Sequence, residues 1–409
     1  MFASYTFEKN SMKKLLILLV LLAPGLTALA QVKQGDLVPD INFATVLNAK
    51  VKSANLSQLK GKVVLIDFWA TWCGSCLEAM PHLQALQAKY PKSLQIIAVN
   101  DESLKRTGLY IKLRPANFWF AVDTTREIGK VFPHRLIPHS VLISSDGRLA
   151  AVTLPENITE HVIDSVLNKN VVHISEKKDN LLSHEELIKQ NFYAADTVRH
   201  RFMMEGEING APGLSTTWLT DSIFKGRRIT CLNLSLSTLY RLAYNDYPYS
   251  RTIDQTKPAK NAPVYCLDLI VENPDQLRPA LQQELAKRFD IQAKEETILK
   301  DVQVLKITDQ NKFNEIKRNQ TGKRTYSAGH GNIDQDCITM KEFAEFLQDY
   351  GIGKLVVDKT GNIEKLDIKF TFQPEDPQSI LDILSTMGLG LTKEEQEINM
   401  LVLYKQAAL

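Results

Sequence analysis

An α/β unit with a mixed central sheet flanked by helices, followed by an α+β region of two repeated modules, is the fold class that this sequence predicts. Three observations carry it. Val63 to Ala70 is an apolar run broken only by Asp67, which suits a strand buried on both faces. The run leads into Cys73-Gly74-Ser75-Cys76, after which Leu77, Met80, Leu83, Leu86 and Tyr90 recur at helical spacing. Further on, two stretches repeat one order of strands and helices.

The cysteine pair therefore falls at a strand-to-helix junction, where unpaired backbone N–H groups and the positive end of the helix dipole favour a thiolate. Cys73 is expected to be exposed at the helix start with a depressed pKa, and Cys76 to be shielded one turn in. Cys73 attacks a disulfide and Cys76 resolves the mixed disulfide. Burial of an unpaired Asp67 would raise its pKa and fit it to accept the Cys76 proton. The alternative for Asp67 is a strand-edge residue facing water. Half of a zinc site is the alternative for the cysteines, but a structural zinc takes four ligands and no second CxxC is present.

The stretch FWATWCGSC, Phe68 to Cys76, resembles the thioredoxin fold, specifically the periplasmic thiol-disulfide reductases of the TlpA and ResA type. Pro81 matches the proline that kinks the first helix of that family, and Pro138 in RLIPHSVLISSDG matches its cis-proline facing the disulfide. The segment from Val38 to Lys62 resembles the N-terminal hairpin which that family adds. By this resemblance, which covers residues 31–172, the chain is a protein disulfide reductase with Cys73, Cys76, Asp67 and Pro138 catalytic. Trp72, Ile137, Gly74 and Ser75 would meet the substrate, with Ile137 offering backbone groups to a substrate strand. Ser75 stands where thioredoxin itself has proline, so that protein's reduction potential does not carry over.

Length and composition bound the rest. The 409 residues suggest two or three domains, and 44% hydrophobic content suffices for packed cores. The net charge of +2 is held by residues 1–30, where Lys9, Lys13 and Lys14 oppose Glu8; the remainder is formally neutral and asks for no nucleic-acid partner. Residues 1–30 read as a secretion signal: a basic start at Met12-Lys13-Lys14, an apolar core, and Ala28-Leu29-Ala30 as the cleavage site. A retained membrane anchor is the alternative. Cleavage after Ala30 places the mature chain in the periplasm or cell envelope, where a reducing dithiol needs electrons from a membrane or periplasmic donor.

From Gln31 the order is coherent: hairpin strands near Ile41 to Val46 and Val51 to Ala54, the central strand, the first helix, then the strand QIIAVN. A helical insertion near 102–117, the strand FWFAVD, the helix TTREIGKVF and the loop with Pro138 follow. A hairpin around Ser144-Ser145-Asp146-Gly147 and the helix ENITEHVIDSVLNK complete the unit. His134 and His139 bracket the Pro138 loop and, if protonated, would stabilise the Cys73 thiolate; a hydrogen-bonded loop histidine is the alternative for each. Trp69 reads as core and Trp72 as apolar surface on which substrates rest.

Residues 173–225 read as linker. A first α+β module is expected over 226–312, a polar linker over 313–335 and a second module over 336–409. Each module runs strand, helix, strand, helix and then a two-strand hairpin, with Leu267, Leu269 and Val271 matching Leu366, Ile368 and Phe370. The second copy resembles a bacterial domain of unknown function with a PVVDKTGL-type motif. More distantly, each copy resembles the short N-terminal modules of secretins and TonB-dependent receptors. No clustered His, Cys and carboxylate set suggests catalysis there, so both read as interaction modules whose sheet edges accept a partner strand.

Of the remaining thiols, Cys231 and Cys266 form the candidate structural disulfide, and Cys337 stays unpaired. The acidic clusters Asn332 to Asp336 and Asp358 to Asn362 miss the ligand register of a calcium loop and read as turns. No cofactor and no metal is called for. The expected partners are disulfide-containing envelope proteins and the electron donor; the oligomeric state stays open. An oxidase or isomerase on the same fold, or an envelope-assembly protein using that fold as scaffold, are the rival readings.

Overall fold

A computed structural model describes residues 32–405 apart from 260 and 330. The expected leader, residues 1–30, lies outside the described residues. None of the described helices is long and apolar enough to cross a membrane.

The first unit is built on β1 (Asn42–Phe43), β2 (Val46–Leu47), β3 (Ala54–Asn55), β4 (Val63–Phe68), β5 (Leu94–Asn100), β6 (Trp119–Val122), β7 (His139–Ile143) and β8 (Leu149–Thr153). Six of these form one sheet in the order β2-β6-β5-β4-β7-β8, with β1 and β3 paired separately. β4 lies parallel to β5 and antiparallel to β7, so the sheet is mixed. All six residues of β4 are buried because both its faces are covered. Val63 and Leu65 pack with Leu83 and Leu86 of the helix Gly74–Lys89, whereas Val64, Ile66 and Phe68 pack with Phe43, Ile97 and Val141 on the opposite face. Pro81 lies inside that first helix. The expected insertion contains the helix Leu104–Leu113, whose first turn is capped by Ser103 through the Arg106 N–H. This is a thioredoxin-like fold.

Residues 173–225 do not behave as a linker. They contain the helix His184–Phe192, β9 (Arg201–Glu205) and β10 (Leu214–Thr217). β9 and β10 flank β11 (Arg228–Ser235) and, beyond the three-residue β12 (Thr252–Asp254), β13 (Val264–Ile270), giving the sheet order β10-β11-β13-β9. Leu187 and Phe192, fully buried against Leu232 and Cys266, seal one face; the helices Leu236–Ala243 and Leu277–Arg288 contribute the core of the other. The polar composition misled because few apolar positions suffice where a short helix covers only one face of a sheet. The 313–335 stretch is likewise structured: it carries β15 (Thr325–Gly329) and the start of β16 (Asn332–Ile338), after the long β14 (Ile291–Ile307).

The internal repeat is visible in the element order. β11, the helix Leu236–Ala243, β12, β13, the helix Leu277–Arg288 and β14 correspond in order to a second set. That set is β16, the helix Met340–Phe346, β17 (Val356–Asp358), β18 (Leu366–Thr371), the helix Pro377–Thr386 and β19 (Leu389–Lys405). The expected terminal hairpin within each copy is not formed. β14 and β19 are single strands of 17 residues each that pair antiparallel along their whole length, Ile291 opposite Lys405 and Ile307 opposite Leu389. The polar middle of each strand, which reads as a turn, is the exposed centre of a ribbon of roughly 55 Å at about 3.3 Å per residue. Each strand begins in its own copy's core and ends in the other's: Leu305 packs with Phe343 and Leu366, while Leu401 and Leu403 pack with Leu239 and Leu281. The short strands cross over too, β12 pairing with β19 and β17 with β14.

Candidate active site

The apolar strand β4 delivers the site. Its residues alternate between the two faces, so Asp67 shares the face of Val63 and Leu65, in the layer that holds Cys76 and the first helix. The chain leaves β4 at Phe68, turns through Thr71 and Trp72, and begins the helix Gly74–Lys89 with Cys73 as its N-cap. Cys73 Sγ accepts a hydrogen bond from the Cys76 backbone N–H at 3.2 Å, and Ser75 Oγ lies 3.6 Å from the same sulfur. The two cysteines are joined as a disulfide with a Cα–Cα separation of 5.2 Å. Cys73 was expected to be exposed, but it is only 5% exposed. The N-cap conformation turns its sulfur toward the helix N–H groups, and Trp72, 53% exposed, takes the outward position instead.

Asp67 is fully buried, which excludes an edge residue facing water. Its Oδ1 accepts the hydroxyl of Ser140 at 2.5 Å, across the β4–β7 pairing, while Oδ2 has no hydrogen-bond partner. Burial pushes the carboxyl up from 3.8 to about 7, against the opposing effect of Ser140. A carboxyl so placed exchanges protons at neutral pH.

The Ile137–Pro138 peptide is cis. Ile137 and Trp72 line one cavity of about 380 Å³, together with Phe68, Ala70 and His134, with Asp101, Asp123, Arg126 and Lys130 among the polar residues in its lining. The structure thus brings Trp72 and Ile137 to one concave surface beside the disulfide. Gly74 and Ser75 are exposed at the helix start.

Comparison with known proteins agrees with this geometry. Residues 33–167 match the Redoxin family, and residues 250–405 match a family described as a protein of unknown function, DUF3738. The thiol-disulfide oxidoreductase ResA of Bacillus cereus is 32% identical over 123 residues, which cover 30% of this chain and 70% of that protein. This chain belongs to the ResA family of thiol-disulfide oxidoreductases. ResA of Bacillus subtilis is 34% identical over 120 residues, 29% of this chain and 66% of that one. A Chlorobium tepidum structure provisionally assigned as the thiol:disulfide interchange protein DsbE shares 30% identity, with 34% of this chain and 99% of that chain covered and a TM-score of 0.30.

The two histidines of this ResA-type site stack on each other beside the Pro138 loop. Burial lowers His139 to about 4 and also lowers His134, which favours the neutral ring in each. Their rings stack at 4.7 Å, which itself disfavours a second proton. His134 Nδ1 bonds the Phe132 carbonyl at 2.9 Å, and His139 Nδ1 faces Asp179 at 3.4 Å and Lys177 at 3.3 Å. Both shifts disfavour the protonated ring on which the expected tuning of Cys73 depends.

Asp179 and Lys177 were invisible in the sequence because they lie in the segment read as linker. That segment returns over the Pro138 loop: Asp179 Oδ1 accepts the Leu136 N–H at 3.1 Å, and Lys177 Nζ donates to the Leu136 carbonyl at 2.9 Å and to Asp179. Burial would raise Asp179, but hydrogen bonds from His139 and Lys177 outweigh it and hold the carboxyl down at about 2. The candidate bridge between Cys231 and Cys266 is absent; both thiols and Cys337 are free and buried. Cys231 pairs with Leu267 across β11 and β13, so Cys266, one residue earlier, points to the opposite face of the sheet.

Proposed function

We propose that the chain is exported and reduces disulfides of envelope proteins through Cys73 and Cys76, with its C-terminal repeats serving as an interaction module that brings it to a partner. The observation that carries this reading is the Cys73 sulfur capping a helix beside an open cavity walled by Trp72 and Ile137. In the reduced chain the Cys73 thiolate attacks one sulfur of a substrate disulfide, forming a mixed disulfide and releasing the other sulfur as a thiolate. Cys76 then gives its proton to Asp67 and attacks Cys73 Sγ. The Cys73–Cys76 disulfide forms, the second substrate sulfur leaves, and two electrons have passed to the substrate. A dithiol donor in the membrane or periplasm restores the starting state. Trp72 and Ile137 supply the apolar contact for the substrate, and Gly74 and Ser75, exposed at the helix start, meet it beside Cys73.

A Cys76→Ser variant of the exported, full chain should accumulate covalent complexes through Cys73 that dissolve with dithiothreitol, and mass spectrometry should find envelope proteins in them. Recovery of no mixed disulfide, under conditions where a known reductase with the same substitution captures its substrates, would remove the reading.

A further inference from the structure

The loop that carries Cys73 is held by a residue from the far end of the chain. Thr71, 4% exposed and two residues before Cys73, donates its backbone N–H and its hydroxyl to the two carboxylate oxygens of Glu102, each at 2.8 Å. The Thr71 oxygen in turn accepts from Arg106, from Nε at 3.1 Å and from Nη2 at 2.9 Å. Arg106 is held by Glu375: Nη1 and Nη2 donate to its two carboxylate oxygens, both at 2.7 Å. Glu375 sits between β18 and the helix Pro377–Thr386, in the second C-terminal copy, and its side chain also accepts from Gln373. The side chains of Arg106 and Glu375 are only 12% and 6% exposed. A two-pronged, shielded ion pair of this kind fixes the guanidinium plane in a way that a surface pair does not.

We infer that Glu375 is a positioning residue for the redox reaction: it orients Arg106, Arg106 orients Thr71, and Thr71 sets the backbone that presents Cys73. The second repeat is then part of the redox site itself, which goes beyond its reading as a partner-binding module. Without the carboxylate, Glu102 at 4.0 Å is the one ionic partner left to Arg106 among the described residues, and Thr71 keeps Glu102 but loses a donor held in a fixed plane.

The test is steady-state reduction of insulin by the full chain, with dithiothreitol as electron donor, comparing Glu375→Gln, Thr71→Val and the double variant. Each single substitution should lower kcat by about 3- to 10-fold with KM unchanged, because a misplaced nucleophile slows the chemistry without touching the substrate surface. The double variant should lose no more than the worse single one, since both act through one chain of contacts. An unchanged kcat in Glu375→Gln, losses that multiply in the double variant, or a loss confined to KM would each overturn the assignment. Thermal melting accompanies every variant. If Glu375→Gln unfolds, Glu375→Asp, too short to keep both contacts, is read by the same criteria.

Discussion

Asp67→Asn should make the oxidised protein more stable at pH 8 by roughly 2–4 kcal/mol while slowing disulfide reduction by about 100-fold. The Asp67 carboxyl is raised from 3.8 to about 7 by burial, so between these values the folded chain keeps a proton that the unfolded chain has lost. Stability is therefore fully present below about pH 4 and declines as pH rises toward 7. Asparagine never ionises, and its side-chain oxygen still accepts from Ser140. The variant consequently gains only about 0.5 kcal/mol at pH 4 and nearly its full advantage at pH 8, about 1.4 kcal/mol for each tenfold by which folding tightens the carboxyl's hold on its proton, with some relief from local rearrangement. Urea unfolding at both pH values measures the difference. An advantage of equal size at pH 4 and pH 8 would show that the carboxyl is not raised. The rate loss follows from removing the acceptor for the Cys76 proton, at the low end of what a positioned base contributes.

Cys73→Ser should abolish reduction of insulin, by at least about 10³-fold, because a serine oxygen cannot enter a mixed disulfide. The Cys76 sulfur, fully buried, does not substitute for it. Residual turnover within tenfold of the parent would require another thiol to carry the attack, yet Cys231, Cys266 and Cys337 are all buried in the C-terminal region. Burial also raises Cys231 and Cys266 away from their thiolate forms. The same variant separates the enzyme from a scaffold: a cellular role that survives Cys73→Ser but not loss of residues 226–409 would belong to the repeats alone.

Much of the first unit was legible because local pattern and tertiary environment agree there. An apolar strand broken by one carboxylate, a CxxC and a helix-period stretch each occur where the fold needs them, and Asp67 and Trp72 could be named from them, while Pro138 came from the resemblance to the TlpA and ResA type. Contacts made across long sequence distances were not legible. Nothing in the run around Glu375 points to Arg106, 269 residues earlier, and nothing polar about Lys177 and Asp179 signals that they brace the Pro138 loop. The burial of Cys73 was missed because an N-cap position does not by itself say which way the sulfur turns. In the repeats the order of elements followed from periodicity, whereas the ends of β14 and β19 did not: a polar stretch within a strand looks like a turn until its partner strand is known.

The shared ribbon makes each copy depend on the other for a closed core. A lone copy would lack the strand end that closes its core, since Leu401 and Leu403 complete the first copy and Leu305 the second. A gene carrying only one such unit would satisfy that need most simply by trading strands with a sister molecule across a twofold axis. With both copies in one polypeptide that trade is intramolecular, so its assembly does not depend on protein concentration.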